Sequence, residues 1–304
     1  METIATFKHV TMKYGSKVAL NDVSFDIPRG AVYALLGRNG MGKSSAIKCM
    51  LGHQKPTAGQ IAVFGMDSWK QRTRILERVG VVPEEPDAPP DMTPLQLARF
   101  CAELYPTWDQ AGVEARFARF KISPKARFKD LSKGQKAQVM MSLALGSQPE
   151  LMVLDDPTLG LDVVARKEFF EELISELADR GITVLITTHD LAGIEPLADH
   201  IGILKDGRLA ISDTVENLKA RFRRIHCTHQ TSLAANGLSD ALEPLQLIRT
   251  KRFGWGMEAV VAKFDSAVLE RFYHSQLTLV PEVVPMTLEE IFAAVVETEE
   301  GVPQ

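Results

Sequence analysis

The chain has 304 residues, 45% of them hydrophobic and 24% charged, which is the make-up of a globular protein and at about 100–200 residues per domain predicts two domains. Its formal charge of −4 resides in residues 212–304, with 9 basic and 13 acidic side chains, whereas residues 1–211 carry 26 of each. No basic run marks a nucleic-acid face or a polybasic membrane patch, and no apolar stretch approaches the roughly 20 residues of a membrane helix. METIATFKHV also lacks the apolar core of a secretory segment. Cys49, Cys101 and Cys227 are scattered and without metal-ligand spacing, which excludes a disulfide scaffold and a zinc finger and suits a reducing compartment.

TIATFKHVTMKY (3–14) and VALNDVSFDI (18–27) alternate loosely at period two and read as strands, ended by the breaker PRG. AVYALL (31–36) is apolar throughout, as in a strand buried on both faces. It runs into GRNGMGKSSAIKCM (37–50), a glycine-rich loop entering a helix. TPLQLARFCAELY (93–105) and DQAGVEARFARFK (109–121) space their apolar residues at three and four, which predicts helices. An alternation follows: helix 133–147, strand 150–155, helix 163–179, strand 182–187, helix 191–199. Helices alternating with buried strands imply a parallel sheet covered on both sides. After the hairpin signal Asp206-Gly207 the pattern changes. VENLKARF reads as a helix, RIHCTHQ as a strand, and QLIRTKRF with GMEAVVAKF as a strand pair turning at Gly254-Trp255-Gly256. SAVLERFYHS and TLEEIFAAVV read as helices. The expectation is an α/β domain over 1–211 followed by a small α+β domain over 212–304.

GRNGMGKS (37–44) satisfies G-x-x-x-x-G-K-[ST] between a strand and a helix. Gly37, Gly40 and Gly42 let the backbone bend so that successive N–H groups point inward at a phosphate. Lys43 adds a point charge for the terminal phosphates, the Ser44 hydroxyl can ligate Mg²⁺, and the helix N-terminus faces the same anion. ELMVLDD (150–156) is a buried strand ending in two carboxylates. Asp155 is placed to hold Mg²⁺, and Asp156 reaches one residue further toward the γ-phosphate. Acidic groups at a strand end are otherwise ordinary caps or solvated side chains; beside a phosphate loop they read as the second half of a nucleotide site.

With LSKGQ (131–135) between these two motifs, and PTLGLD (157–162) and TTHD (187–190) following the second, region 1–211 resembles the nucleotide-binding domain of an ATP-binding cassette (ABC) transporter. The resemblance implies a P-loop NTPase fold, a mixed sheet core with a helical subdomain at about 85–147. It implies an ATP site built from Tyr14 as the adenine-stacking aromatic and from Gly37, Arg38, Asn39, Gly40, Met41, Gly42, Lys43, Ser44 and Ser45. It further implies that Ser132, Gly134, Gln135 and Asp162 serve the ATP bound by a second cassette, in a homodimer or a heterodimer. His189 becomes the sensor of the γ-phosphate; standing alone it would read as a structural histidine, as Tyr14 would read as a half-buried strand aromatic and Ser132 as a helix cap. The implied cofactors are ATP and Mg²⁺, held by Ser44, Asp155 and Glu84. The implied partner is a separate permease, with the chain peripheral on the cytoplasmic face of the membrane and no nucleic acid bound. The small trailing domain and TLEEIF-like ending are similar to the exporter branch for drugs, lipids or polysaccharides.

Three residues depart from the family pattern. Glu84 stands where the family carries glutamine, Lys133 replaces a glycine of the signature, and Asp156 replaces the glutamate that polarises water. Catalysis is assigned to Lys43, Glu84, Asp156 and His189. The departures leave a second reading open, an ATP-gated module that closes on nucleotide but hydrolyses it very slowly. A soluble cassette of translation or DNA repair fits less well, because only 87 residues separate Lys43 from Leu131 and no heptad run lies among them.

Overall fold

The computed structural model describes residues 2–228, 242–253, 256–268 and 282–297. The chain divides into two compact units, Met1–Ser212 and Asp213–Gln304.

In the first unit β1 (Thr3–Tyr14) and β2 (Lys17–Pro28) form a hairpin, followed by β3 (Val32–Leu36) and α1 (Lys43–Met50). Next come β4 (Ala58–Val63), β5 (Met66–Asp67), α2 (Arg72–Leu76) and β6 (Val79–Val82), then three helices, α3 (Pro94–Leu104), α4 (Gln110–Arg119) and α5 (Lys133–Gly146). The unit closes with β7 (Leu151–Asp155), α6 (Val163–Arg180), β8 (Thr183–Thr187), α7 (Leu191–Ile194), β9 (His200–Lys205) and β10 (Arg208–Thr214). These strands make an antiparallel sheet, β2-β1-β4-β5, and a second sheet ordered β10-β9-β3-β8-β7-β6. From β9 to β6 the second sheet is parallel. All five residues of β3 are buried, as its central position demands. Ala46, Ile47, Cys49 and Met50 of α1 share one core with Phe7, Val23 and Phe25 of the antiparallel sheet and with Leu35, Val153 and Leu185 of the parallel one. The helix that follows the glycine-rich loop is thereby anchored to both sheets.

Helices α3 to α5 have a core of their own around Leu97, Val113, Phe117, Phe128 and Val139. Each begins on a side-chain cap. Thr93 and Ser132 form capping boxes with Gln96 and Gln135, and Asp109 accepts from the Gly112 N–H. The helix expected over 191–199 stops at Ile194, because Pro196 has no N–H to offer the Ala192 carbonyl. Strands β4 and β5 and the short α2 fall in a stretch whose sequence shows no sustained period. At the Asp206-Gly207 turn both residues have positive φ (49° and 72°), as a two-residue hairpin loop between β9 and β10 requires.

The second unit contains α8 (Val215–Arg221), β11 (Arg223–Thr228), β12 (Leu247–Phe253), β13 (Gly256–Val261), β14 (Glu282–Pro285) and α9 (Leu288–Val296). Its sheet, β12-β13-β11-β14, is antiparallel throughout. A Thr287–Glu290 capping box starts α9, which buries Leu288, Ile291, Ala294 and Val295. The turn at Gly254-Trp255, the end of RIHCTHQ and most of SAVLERFYHS lie outside the described residues.

Candidate functional site

In a parallel sheet every strand presents its carboxyl end to the same edge, and ligands bind there. The adjacent strands β3, β8, β7 and β6 end level with one another: Leu35 pairs with Thr187, Thr187 with Asp155, and Leu154 with Val82. The loops leaving these strands carry Gly37–Gly42, His189, Asp156 and Glu84. They converge on an open cleft of about 480 Å³, lined by Tyr14, Asn39, Gly40, Gly42, Lys43, Ser44, Ser45, Glu84, Asp155, Asp156 and His189. Lys17 and Ala19 of β2 complete the lining.

Gly42, at φ 104°, starts α1 with no side-chain cap, and a Cβ there would run into the Ala19 carbonyl. The first N–H groups of the helix are therefore left for an anion rather than for a capping side chain. Lys43 is buried, and its Nζ donates to the carbonyls of Gly37 (2.6 Å) and Arg38 (3.3 Å). Burial lowers its pKa, opposed by the charges of Asp156, Asp155 and Glu84. The ammonium thus faces three carboxylates across the cleft without a direct ion pair to any of them.

Asp156 is also buried and takes up a left-handed backbone (φ 44°) that aspartate and asparagine tolerate better than most residues. Its N–H donates to both the carbonyl oxygen (2.9 Å) and Oγ1 (3.0 Å) of Thr187. Its Oδ2 lies 3.2 Å from His189 Nε2. Burial pushes the Asp156 carboxyl above the usual carboxylate range, and His189 and Lys43 pull it back. The Thr187 hydroxyl donates to Asp155 Oδ1 at 2.6 Å. Tyr14 is 40% exposed at the mouth, with its hydroxyl held by Gln54 and, at 3.4 Å, by Ser45.

Not every residue marked in the sequence reaches the cleft. Gly37, Arg38 and Met41 shape the loop from behind: a Cβ on Gly37 would press on the Leu204 carbonyl, and Met41 Sδ accepts from the Asp206 N–H. Ser132, Gly134, Gln135 and Asp162 do not line it either. Ser132 and Gln135 cap α5, and Asp162 accepts from the Ala165 N–H. The Lys133 side chain lies along Gly160, so that a Cβ there would sit 3.2 Å from its Nζ. Lys17 lines the cleft without any motif signal, and Thr187, although it opens TTHD, takes no role from it. The hint for Thr187 is a polar residue that follows the apolar run VLI (184–186) at the level of Asp155.

Ser44, Glu84 and Asp155 give one cleft three hard oxygen donors, the chemistry Mg²⁺ prefers. Among the described residues no cluster of three or more His, Cys, Asp or Glu could hold a metal alone. Mg²⁺ needs no such cluster, since it keeps several waters and is bound through one or two protein groups together with substrate phosphates.

Fold and site together define a P-loop nucleotide-binding protein of the α/β class. Comparison with known proteins is more specific: the ABC transporter family description matches residues 20–159. The bacitracin transport ATP-binding protein BcrA of Bacillus licheniformis is 33% identical over 226 residues, 74% of this chain and 74% of the relative. The Nod factor export ATP-binding protein I of Burkholderia orbicola is 36% identical over 66% of this chain and 68% of its own length. The ABC transporter ATP-binding protein YtrB of Bacillus subtilis, 27% identical, extends the likeness to 90% of this chain and 92% of the relative. Among solved structures, an ATP-binding subunit of an ABC transporter superposes with a TM-score of 0.66 at 29% identity, over 72% of this chain and 93% of that one. The chain belongs to the ABC transporter family, as an ATP-binding protein of it.

Proposed function

We propose that this chain is the ATP-hydrolysing subunit of an exporter and drives a separate membrane permease. The observation that carries the reading is the convergence of the uncapped α1 N-terminus, Lys43, Asp155, Asp156 and His189 on one cleft. In-line attack of water on the γ-phosphate needs positioning and charge stabilisation rather than covalent chemistry. The loop N–H groups and Lys43 bind the β- and γ-phosphates. Asp156, buried and in contact with His189, accepts a hydrogen bond from the attacking water and takes up its proton, while His189 orients the terminal phosphate. Tyr14 offers its ring to the base, and Lys17 stands beside it at the mouth. Bound through Ser44, Asp155 and Glu84, Mg²⁺ would neutralise charge on the phosphate oxygens.

The exporter assignment draws on the names of the relatives, which include bacitracin transport, Nod factor export and a probable multidrug transporter of Escherichia coli. No helix among the described residues is long and apolar enough to cross a membrane, so the span would be supplied by a partner chain, with this subunit peripheral on the cytoplasmic face. Ser132, Gly134, Gln135 and Asp162 stand apart from their own cleft, which supports a role toward the nucleotide of a second cassette. Residues 213–304 carry none of these groups and act as an accessory domain.

Nucleotide should therefore control association. Light scattering on Asp156→Asn protein is expected to show monomer without ligand and a shift toward dimer with MgATP. The same mass in both conditions would contradict the shared site.

A further inference from the structure

Thr187 touches no reacting group, yet it holds two neighbouring residues of the cleft, Asp155 by its carboxylate and Asp156 by its peptide N–H. It is fully buried at the end of β8, between β3 and β7, with its backbone level with Leu35 and Asp155. The other members of β8 are Thr183, Val184, Leu185 and Ile186, and a valine would suit the last position as well for packing. What valine lacks is the hydroxyl, and here both of its capacities are used. It donates to Asp155 Oδ1 at 2.6 Å and accepts the Asp156 N–H at 3.0 Å. The first contact fixes the rotamer of Asp155. The second pins the peptide of a non-glycine residue in a left-handed conformation (φ 44°), from which its side chain reaches His189. The strand that supplies the hydroxyl also leads, two residues on, to His189 itself.

We propose that Thr187 is a positioning residue for hydrolysis: one hydroxyl sets the carboxylate of Asp155 and the backbone of Asp156 against the strand that carries His189. The proposal rests on the ATPase reading given above. Its energetic logic is geometric. Without the hydroxyl, the Asp156 N–H keeps the Thr187 carbonyl at 2.9 Å as partner, so the fold survives, but Asp155 is free to turn. A displacement of about 1 Å at a reacting group can lower a rate on the order of a hundredfold.

The test compares Thr187→Val with Thr187→Ser. Turnover is measured against ATP concentration, and binding of a fluorescent ATP analogue is measured with and without Mg²⁺. Thr187→Val should lower kcat by about 10- to 100-fold with KM changed less than about threefold. It should also lose most of the tightening that Mg²⁺ gives to nucleotide binding, and Thr187→Ser should restore both. Metal-free nucleotide affinity reports folding; if Thr187→Val fails it, Thr187→Ala takes its place. Turnover and Mg²⁺ response like wild type in Thr187→Val, or a serine variant as impaired as the valine one, would overturn the proposal. Should wild-type protein bind ATP without hydrolysing it, the ATPase reading fails separately, and an unchanged Mg²⁺ response in Thr187→Val would still overturn the role of Thr187.

Discussion

Replacing Lys43 with alanine should reduce ATP turnover by on the order of a hundred- to a thousandfold, the loss that follows removal of one preorganised group from a developing oxyanion. The side chain is buried at the start of α1, and burial has already lowered its pKa, so its charge acts in a medium that screens poorly. The carbonyls of Gly37 and Arg38 hold Nζ at the loop. Alanine leaves the glycine-rich backbone and the helix N-terminus intact, so the loss should fall on nucleotide affinity and turnover rather than on folding. Phosphate release by purified wild type and variant, with thermal melting as control, checks this. Near-wild-type turnover would mean that Lys43 does not face the phosphates.

The largest effect on stability is expected far from the cleft. Arg116 of α4 donates through Nε to Glu172 (2.7 Å) and through Nη2 to Glu176, both buried on α6, while Arg119 and Arg180 reach the same two carboxylates from the rim. Buried ion pairs contribute little net stability when intact, but removing one partner leaves charge in a poorly solvating place and costs about 3–5 kcal/mol. Arg116→Ala strands two carboxylates at once, relieved in part by Arg119 and Arg180, so about 3 kcal/mol is the expected loss. For a unit of this size that lowers the melting temperature by roughly 6–12 °C in a calorimetric scan. Arg127→Ala, which breaks an exposed pair with Asp91, should barely move it. Similar scans for the two variants would show that the Arg116 cluster is not desolvated as described.

Much of this was legible in the sequence because it depends on short-range chemistry. A short apolar run such as AVYALL, too brief for a helix and bounded by glycines, reads as a strand covered on both faces, and a G-x-x-x-x-G-K-[ST] loop after it needs no tertiary information to be read as a phosphate cradle. The order of motifs brought in Glu84, Asp155, Asp156 and His189. What stayed hidden depends on partners distant in the chain. The Arg116–Glu172–Glu176 cluster looks like solvated charge on two amphipathic helices until α4 and α6 are packed together. Thr187 looks like an ordinary strand residue until β7 lies beside β8. The left-handed backbone of Asp156 has no signature at all, since nothing in LMVLDDPT announces a positive φ. Helix α7 ends earlier than the apolar spacing of LAGIEPLAD suggests, because the hydrogen-bond ladder cannot continue through Pro196.

Asp156 is where these threads meet. Against a glutamate, its carboxylate sits roughly 1–1.5 Å further from a γ-phosphate, about one bond length. The reference pKa values of the two differ by only about 0.4 units, so reach rather than basicity should set the rate. Aspartate in turn suits the left-handed backbone held by Thr187, which glutamate fills less readily. Asp156→Glu should accordingly keep or raise turnover while melting earlier. The decisive measurement is phosphate release at saturating MgATP by wild type and by Asp156→Asn, with nucleotide binding measured alongside. Wild type should turn over slowly but measurably, and Asp156→Asn should fall by on the order of a hundredfold or more with ATP affinity unchanged. Equal rates in the two proteins would contradict the assignment of Asp156 as the water-activating group and, with it, the hydrolytic mechanism proposed for this chain.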